Sequence, residues 1–354
     1  MSNKINQDKS ITILGAGPSG LTAAINLAKN GFHVKVYEKN QDCGMRFRGD
    51  FQGFENWSST NNILNELKSM NIECDFWNKP ITKAEFYDYK LNKRTVSFEK
   101  PGLYLVRRGS FPGSLDFSLK NQALKNGVEI IFNKRIHEED SDIVAGGPKR
   151  VDGIVRGIVF KTKTTRIPTI ILDDGLAPKS FAYLLTGEGF GCLGTGLTRN
   201  YTIADKLLDK TIETFSSILE IDISNPKRFT GYGNFFIRNN YVEKNRIYVG
   251  EAAGLQDYLL AFGLRQAITS GYLASKSIIF KQDYDKLIKK RFSSQLKTSM
   301  SNRLLYSMAG NKGYSRFLQR GKKVKDPLKR MNRQYNASVV KYMFYPFAKL
   351  LFNK

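Results

Sequence analysis

The hydrophobic pattern at the start of the chain predicts a strand, a glycine-rich turn, a helix and a second strand. Residues 11–14 form a short apolar run, residues 21–30 carry apolar side chains at helical spacing, and residues 33–37 form a second run that ends at Glu38. Short apolar runs bounded by turn residues are typical of buried strands, and Gly31 is a helix stop signal. The pattern therefore predicts a β-α-β unit.

The next segments continue to alternate between strands and helices up to about residue 145. In chain order the sequence predicts a loop over 39–57, a helix over 60–71, a hairpin within 84–98 that turns near 92–93, a helix over 114–126, a strand over 128–132 and a short buried strand over 142–145. Strands that alternate with helices are typical of α/β proteins with a parallel sheet.

The pattern changes between about residues 155 and 248, where short β runs dominate. The runs IVF, TIIL, AYLL and FFI are separated by Gly, Asn and Asp, and they lie at residues 158–160, 169–172, 182–185 and 235–237. One predicted helix, over 204–219, interrupts them. Short strands at this spacing indicate an antiparallel sheet. A strand over 246–250 and a helix over 263–279 then return to the first pattern.

The order of these elements predicts the fold class and the domains. We expect an α/β protein with a Rossmann-like nucleotide-binding domain, an inserted, mostly antiparallel β-sheet domain for the substrate, and a helical C-terminal region. Its 354 residues suffice for such an arrangement. The expected bounds are 1–150 and 240–280 for the nucleotide-binding domain, 80–105 and 151–239 for the sheet domain, and 281–354 for the C-terminal region.

The predicted turn at residues 15–20 reads Gly-Ala-Gly-Pro-Ser-Gly, the spacing of a dinucleotide-binding fingerprint. Gly15 permits the tight turn, Gly17 lets the backbone approach a pyrophosphate, and Gly20 lets the helix pack closely. The alternative is a structural β-α-β turn without a ligand. The strand before the motif and the helix after it favour the dinucleotide site.

The residues around these glycines supply the remaining contacts that a dinucleotide needs. Pro18 and Ser19 begin the helix, whose free N–H groups and positive dipole end attract phosphate. Glu38 lies 18 residues after the last glycine and can accept hydrogen bonds from a ribose, and Lys39 follows it. Arg46, in the following loop, either bridges cofactor phosphates or is an exposed loop arginine.

A second cluster of small residues follows the strand predicted over 246–250. It reads Gly-Glu-Ala-Ala-Gly over residues 250–254 and precedes the helix predicted over 263–279. A strand that ends in small residues beside an acidic one, with a helix directed at the same place, brings the chain to a dinucleotide a second time.

Together the two motifs resemble the flavoprotein family that includes geranylgeranyl reductases and the aromatic-hydroxylase-type monooxygenases, over about residues 10–280. The stretch after the second motif is more similar to the geranylgeranyl reductase branch: Gly250, Ala252, Ala253, Gly254, Gly263, Ala267, Ser270 and Gly271 match it, and Glu251, Tyr258 and Ala261 depart from it. The resemblance implies that the first motif binds the ADP part of FAD. It implies that the second motif holds the ribityl and pyrophosphate region.

The resemblance also implies roles for residues outside these two motifs. Arg108 falls on an arginine near the flavin, and Tyr183 falls in an aromatic segment that lines a prenyl pocket. Cys43 falls on a Cys-Gly pair near the substrate end of the ring, or is a loop thiol without a role. Tyr258 falls where the loop passes the ring. The candidate catalytic residues are therefore Cys43, Tyr183 and Tyr258. The expected cofactor-binding residues are Gly15, Gly17, Pro18, Ser19, Gly20, Glu38, Lys39, Arg46, Arg108, Gly250, Glu251, Ala253, Gly263 and Leu264.

The activity implied by the resemblance is reduction of an isoprenoid or other hydrophobic substrate by hydride transfer from reduced flavin, with electrons from NAD(P)H or ferredoxin. Two alternatives stay open: a flavin monooxygenase of a small ring compound, and a non-catalytic flavin-binding protein whose basic tail binds lipid, RNA or a partner. The composition agrees that a cofactor supplies the chemistry. Three dispersed cysteines and two histidines offer neither a metal site nor a redox pair.

Charge is concentrated at the C-terminus. Residues 276–354 hold twenty Lys and Arg against three Asp, a formal charge of +17 of the total +24, interleaved with aromatic and aliphatic residues. Basic and aromatic side chains together suit an anionic membrane surface. The alternatives are helices that cap the core and a site for nucleic acid, which we expect less because no nucleic-acid-binding motif accompanies the charge.

The start of the chain lacks the pattern of a secretory signal, and no segment has the roughly 20 apolar residues that a spanning helix needs. We therefore expect a cytoplasmic protein that lies peripherally on the inner face of the membrane.

Overall fold

The computed structural model describes residues 9–321 and 324–352. The strands, in chain order, are β1 Ser10–Leu14, β2 His33–Tyr37, β3 Phe51–Glu55, β4 Asn78–Ile81, β5 Lys83–Asp88, β6 Lys93–Ser97, β7 Leu103–Arg107, β8 Glu129–Ile131, β9 Ile143–Val144, β10 Gly153–Lys161, β11 Thr169–Leu172, β12 Ala182–Gly187, β13 Phe190–Leu197, β14 Ser224–Gly233, β15 Val242–Glu243 and β16 Arg246–Tyr248. The helices are α1 Pro18–Lys29, α2 Ile63–Ser69, α3 Leu115–Lys125, α4 Ala204–Ile218, α5 Leu264–Ile279, α6 Tyr284–Arg320, α7 Pro327–Tyr335 and α8 Val339–Phe352.

The first sheet has the strand order β15-β16-β9-β1-β2-β8 and contains the predicted β-α-β unit. All its neighbouring pairs are parallel except the short hairpin of β15 and β16. Helix α1 packs against α3 and α5. In a parallel sheet of this kind the ligand crevice lies beyond the carboxyl ends of the strands, so β1 and β2 direct Gly15 and Glu38 to the same edge.

The second sheet has the order β14-β10-β13-β12-β11-β5-β6 and is antiparallel except between β11 and β5. Helix α4 covers β10 and β13. A third, antiparallel sheet, β3-β7-β4, lies in the part of the chain between β2 and α3. The predicted fold class, α/β with a mostly antiparallel sheet and a helical C-terminal region, is confirmed. The domain bounds stay a prediction.

Some local predictions were wrong. The segment 39–57 is not all loop, because residues 51–55 form β3 and pair with β7. The run FFI at 235–237 is not a strand. It is apolar because its side chains pack in the interior, where the Phe235 ring lies beside the Tyr258 ring. Strands β13 and β14 were not predicted, because one is rich in glycine and the other is polar.

The C-terminal helices close the main core and extend beyond it. The first half of α6 buries Tyr284, Ile288, Phe292, Leu296 and Met300 in the same core as the first sheet. Helix α6 leaves helical geometry at Gly310, and its second half contacts β5 and β11. Within residues 9–321 and 324–352, no helix is long and apolar enough to cross a membrane.

Candidate cofactor and substrate cavity

One large cavity connects the carboxyl ends of β1 and β2 with the C-terminal helices. Its volume is about 1810 Å³, whereas pockets for one small molecule usually have about 300–1,000 Å³. We call the part lined by residues 14–19 and 37–40 the glycine-rich end. We call the part between the seven-stranded sheet, α6 and α7 the apolar chamber. The cavity is large enough for two molecules at once.

The glycine-rich end owes its shape to close backbone contacts that only glycine allows. Gly15 has a φ of +100°, and a Cβ at this position would lie 2.6 Å from the carbonyl oxygen of Ala145. A Cβ on Gly20 would lie 2.1 Å from the carbonyl oxygen of Gly15. These two glycines therefore hold strand, turn and helix together, and the structure agrees with the packing role predicted for each.

Gly17 differs from these two glycines because nothing lies within 4 Å of the position of a Cβ. Gly17 is the N-cap residue of α1 and has no side chain to accept hydrogen bonds from the first turn. Pro18 follows at the first helical position. Gly17, Pro18 and Ser19 all line the cavity. The N–H groups of the first turn and the positive end of α1 thus face open space in which a phosphate fits.

Glu38 is held in place for hydrogen bonding at the end of β2. One carboxylate oxygen accepts a hydrogen bond from the backbone N–H of Ala16 at 3.1 Å, and the other accepts one from the backbone N–H of Asn40 at 3.0 Å. Glu38 and the exposed Lys39 line the cavity. A carboxylate fixed beside the glycine turn can accept ribose hydroxyls.

The loop after β2 is joined to the second motif by an ion pair in the cavity wall. Arg46 Nη1 lies 2.6 Å from Glu251 Oε2, and the same guanidinium donates to the carbonyl of Tyr232. Both Arg46 and Glu251 line the cavity. Gly250 and Ala253 are buried behind Glu251, and Gly250 N–H donates to Ser270 Oγ at 2.9 Å. The structure therefore places Gly250 and Ala253 behind the cavity wall, with the half-buried Glu251 as its polar group.

The loop from residue 255 to Leu264 forms the middle of the cavity wall. Gly263 and Leu264 line the cavity where α5 begins. Asp257 fixes this loop, because its carboxylate accepts the hydroxyls of Ser299 on α6 and Tyr335 on α7. Burial raises the pKa of Asp257, and these hydrogen bonds oppose the shift. The loop position is therefore coupled to the C-terminal helices.

Tyr258 lines the cavity, but its hydroxyl group is buried and has no hydrogen-bond partner in the described chain. Burial raises the pKa of the Tyr258 hydroxyl. A buried hydroxyl without a partner costs free energy, and this oxygen is closed off from the cavity by the packing around it.

Arg108 lies in the cavity wall, where an ion pair with Asp116 balances its charge. Its Nε and Nη2 each lie 2.8 Å from a carboxylate oxygen of Asp116, and Nη1 donates to Gln52 Oε1 at 2.5 Å. The guanidinium carbon lies 3.9 Å from the centre of the Phe47 ring. The bidentate pair gives Arg108 a fixed orientation beside the middle of the cavity.

The candidate catalytic residues occupy different positions. Tyr183 and Tyr258 line the cavity, whereas Cys43 is not among the lining residues of the described chain and is 1% exposed. Burial is the largest influence that raises the pKa of the Cys43 thiol. A buried neutral thiol is a poor nucleophile, so the geometry favours the interpretation of Cys43 as a loop thiol without a role.

Asp50 is a buried carboxyl in the cavity wall that the sequence pattern did not reveal. It is buried, lines the cavity, and accepts the backbone N–H of Arg48 at 3.0 Å. Burial raises the pKa of the Asp50 carboxyl. Burial, the Cys192 thiol and then Asp50 raise the pKa of the Tyr183 hydroxyl, which brings Asp50 and Tyr183 to one region. Asp50 was missed because strand β3, which begins at the next residue, was not predicted.

The apolar chamber has two walls that are far apart in sequence. Strands of the larger sheet supply Phe86, Val96, Ile170 and Tyr183, and the second half of α6 faces them. Helix α7 contributes one face to the lining, made of Pro327, Arg330, Met331, Gln334 and Tyr335. This i, i+3, i+4, i+7, i+8 spacing shows that α7 lies along the chamber.

Comparisons with known proteins agree with this architecture. A family model described as an NAD(P)-binding Rossmann-like domain matches residues 13–53. Thiamine thiazole synthase from Thermotoga maritima is 44% identical over 65 residues, which are 18% of this chain and 26% of that protein. The chain thus aligns with about a quarter of this relative's length.

Solved structures match over nearly the whole chain. A geranylgeranyl bacteriochlorophyll reductase-like protein from Thermoplasma acidophilum has a TM-score of 0.72 at 18% identity, and the match covers 97% of this chain and 96% of that one. The flavin-dependent brominase Bmp2 has a TM-score of 0.63 at 15% identity, over 97% of this chain and 98% of that one. At these identities the likeness shows the fold. The chain therefore has the fold of the geranylgeranyl reductase-like and halogenase structures, and the expectation of this fold is confirmed.

Proposed function

We propose that the protein is an FAD-dependent oxidoreductase that reduces an isoprenoid or other hydrophobic substrate at a membrane surface. The observation that carries the proposal is the single cavity that joins a dinucleotide-binding turn to an apolar chamber. One compartment of this kind lets a cofactor and a substrate meet without bulk water.

The residues of the glycine-rich end and the middle of the cavity fit FAD. Open space over Gly17 and the start of α1 suit the pyrophosphate, and Glu38 suits the adenosine ribose. Glu251 faces the cavity where a ribityl chain would pass. Arg46 either balances the charge of Glu251 or contacts a phosphate of the cofactor. Arg108 supplies a polar group next to the middle of the cavity, where the ring would lie.

Reduced FAD supplies a hydride when it is bound. An alkene that accepts a hydride on one carbon needs a proton on the neighbouring carbon. Asp50 is suited to donate this proton, because burial raises the pKa of its carboxyl and its side chain lines the cavity near Tyr183. The resulting carboxylate regains its proton from solvent, so the step balances. NAD(P)H or ferredoxin is the proposed electron donor.

The walls of the apolar chamber favour a hydrocarbon substrate. Phe86, Val96, Ile170, Phe317 and Met331 face the chamber from separate elements. Apolar walls favour a hydrophobic chain and exclude water from the reacting carbon atoms. The size of the cavity leaves room for such a chain beside a dinucleotide.

Helix α8 favours an anionic lipid bilayer as the surface on which the protein works. Its inner residues Phe344, Tyr345 and Ala348 pack on the core. Its outer side exposes Val339, Met343, Phe347 and Leu350, each with 64–79% of the residue surface accessible. These positions follow helical spacing and form one apolar stripe, which we call the α8 stripe.

The charge around the α8 stripe has the sign that an anionic bilayer requires. Lys349 is exposed beside the stripe, and Lys325, Lys329 and Arg333 are exposed at α7. Lys341 joins the two helices by donating to the carbonyl of Asn336 at 3.1 Å. Apolar residues can enter the acyl boundary while basic residues contact the headgroups. The proposed location is therefore the inner face of the cytoplasmic membrane.

The reductase activity is tested with reduced, anaerobic protein that carries its flavin. We expect geranylgeraniol or its diphosphate to reoxidise the flavin and to gain two hydrogens, measured by the flavin absorbance and by mass spectrometry of the prenyl product. Reoxidation only by oxygen, with hydroxylation of a ring compound, would instead identify a monooxygenase. Flavin binding without any substrate-dependent reoxidation would identify a non-catalytic protein.

The membrane proposal is tested by vesicle sedimentation with phosphatidylglycerol vesicles. Phe347→Asp should weaken association about tenfold or more, because a buried Phe side chain contributes about 1.5–3 kcal/mol. Phe280→Asp is the matched control, since Phe280 is 60% exposed outside α8. Equal binding of both variants and the unmodified protein would contradict a role for the α8 stripe.

A further inference from the structure

Helix α7 forms one wall of the apolar chamber but is packed lightly against the rest of the protein. One side of the helix lines the cavity with Pro327, Arg330, Met331, Gln334 and Tyr335. Of its nine residues only Tyr335 is buried. An element with few buried contacts opens at a lower cost in free energy than the core of the fold does.

The hydrogen bonds that hold α7 to other elements lie at one end of the helix. In the part of the chain that the structure describes, all of them involve residues 332–335, the last turn. Asn332 Nδ2 donates to the carbonyl of Trp57 at 2.8 Å, and the Tyr335 hydroxyl donates to Asp257 Oδ2 at 2.9 Å. The last turn is therefore an anchored pivot for the rest of the helix.

The first half of α7 meets α6 at the rim of the chamber. The guanidinium carbon of Arg330 lies 5.2 Å from the centre of the Phe317 ring. Phe317 lines the cavity, yet it is 48% exposed. A side chain that borders both the cavity and solvent marks a place where the chamber reaches the surface. A cation–π contact at such an exposed site is weak, so α7 is held loosely there.

Helix α6, the neighbouring wall, is fixed more firmly. It is bonded to the seven-stranded sheet domain on both sides of Gly310. The Tyr306 hydroxyl donates to the carbonyl of Ser180 at 2.6 Å, and the Ser315 hydroxyl donates to Asp88 Oδ2 at 2.6 Å. A dinucleotide would fill the glycine-rich end, so a hydrophobic substrate has to enter through the chamber. Of its two helical walls, α7 is the one suited to move.

The outer side of α7 carries the charge that an anionic surface attracts. Lys325, Lys329 and Arg333 are exposed and follow one another at four-residue spacing. Anionic headgroups attract exposed Lys and Arg side chains. Two of these three cations precede Arg330 and lie on the loosely held half of the segment. A bilayer on this side therefore pulls on the part of α7 that the fewest contacts hold.

We propose that α7 is a lid over the apolar chamber, which swings about its last turn and opens between Arg330 and Phe317 when its basic side binds an anionic bilayer. This inference rests on the proposed function and adds the entry route of the substrate and the control of that route. The open lid connects the chamber with the surface in which a hydrophobic substrate dissolves. The closed lid keeps water from the chamber when no bilayer is bound.

The motion is tested by electron spin resonance distances in the flavin-loaded protein, with its three native cysteines replaced by alanine. Nitroxide labels are attached at Lys329→Cys on α7 and Lys206→Cys on α4, both at exposed positions. Phosphatidylglycerol vesicles should add a second, longer distance, and phosphatidylcholine vesicles, which have no net charge, should not. Labels at Arg316→Cys and Lys206→Cys are the matched control: Arg316 is exposed on α6, so their distance should stay constant.

The role of the rim is tested by the kinetics with which farnesol, a prenyl alcohol, binds the flavin-loaded protein without vesicles. Phe317→Leu should speed association and dissociation equally, by about 2- to 10-fold, because it removes the aromatic partner of Arg330 but keeps the rim apolar. The dissociation constant should stay unchanged, which a repacked chamber would not give. Stopped-flow flavin absorbance measures both rates. Phe280→Leu is the matched control, because Phe280 is 60% exposed and does not line the cavity.

The outcomes that overturn the lid differ from those that overturn the proposed function. Unchanged label distances in protein that sediments with anionic vesicles would remove the lid and leave the membrane proposal in place. An equal change in the control distance would show that α6 moves with α7, which also contradicts a separate lid. Unchanged farnesol kinetics in Phe317→Leu would exclude the rim as the opening.

Two further outcomes concern the proposed function itself. A protein that does not sediment with anionic vesicles would lose the membrane proposal and, with it, the signal that opens the lid. Absence of farnesol binding to the unmodified protein would overturn the proposed substrate class and the entry route together.

Discussion

The glycine-rich end and the apolar chamber of the same cavity are built in different ways. The first comes from one continuous stretch, in which Gly15, Gly17 and Gly20 shape the turn and Glu38 closes it. The chamber combines strands and helices separated by more than two hundred residues in sequence, such as those of Phe86 and Met331. A local motif is therefore sufficient to predict a dinucleotide site, whereas the substrate site exists only after the chain has folded.

Two buried arginines show the same contrast in energetic terms. Arg265 is 1% exposed and lies 2.7 Å from a carboxylate oxygen of Glu66, with its Nη1 also donating to the carbonyl of Glu55 at 2.8 Å. It joins α5 to α2 and β3. Arg303 has equal charge but no such partners in the described chain. One arginine is balanced by ion pairs, whereas the other forms no ion pair in the described chain and is influenced by Asp257 and Asp174 only through space.

The largest expected effect concerns the glycine-rich end. Gly17→Val should abolish FAD binding, because the new side chain would occupy the open space that the pyrophosphate needs. No protein atom lies near this position, so the ligand-free variant should fold normally and retain farnesol binding in the chamber. Absorbance of the purified protein and circular dichroism measure the two properties. Stoichiometric FAD in the Val variant would contradict the assignment, and Gly17→Ala should give a smaller loss.

The next effect concerns the proton donor of the chamber. Asp50→Asn should retain flavin and lower the rate of alkene reduction about 100- to 10,000-fold. Since burial raises the pKa of Asp50 and the protonated form donates, the rate in the unmodified protein should fall as pH rises through that pKa. Single-turnover reoxidation over a pH series measures both. An unchanged rate and pH profile in Asp50→Asn would exclude this role.

A smaller effect separates the paired arginine from the unpaired one. Arg265→Met should destabilise the protein by about 3–5 kcal/mol, because it leaves Glu55 and Glu66 without their buried cation. Arg303→Met should show no such loss. Thermal unfolding of the two ligand-free variants, with Arg316→Met as the exposed control, measures the difference. Equal destabilisation by both buried substitutions would refute the contrast between the paired and the unpaired arginine.

The smallest effect is expected at Cys43. Cys43→Ala should change flavin content and turnover by less than about twofold. The Cys43 thiol is buried, and burial raises its pKa, so the reactive thiolate is scarce. Steady-state turnover at matched flavin content measures this. A large loss of turnover with flavin retained would restore Cys43 as a catalytic candidate.

The sequence predicted those elements whose hydrophobic period is local. The β1-α1-β2 unit and helices α3, α4 and α5 lie within a few residues of their predicted bounds. Strand β14 escaped prediction because it is an edge strand whose first residues are exposed and include Pro226, which an edge tolerates. Strand β13 escaped because its glycines avoid rings of the neighbouring strands: a Cβ on Gly191 would lie 2.2 Å from the Phe160 ring.

The site was predictable to the same extent. Gly15, Gly17, Glu38, Arg46 and Glu251 all line the cavity, and their roles toward a cofactor stay predictions. Asp50 and Arg303 were not found, because a single charged residue gives no sign of its burial until its partners are known. Their chemistry arises from long-range packing of β3 and α6 around the cavity.

The most direct test of the central claim is the visible spectrum of the purified protein, together with identification of the nucleotide released on denaturation. The cavity predicts a flavin spectrum and release of one FAD per chain. A protein that carries no flavin and does not bind added FAD would contradict the proposed function.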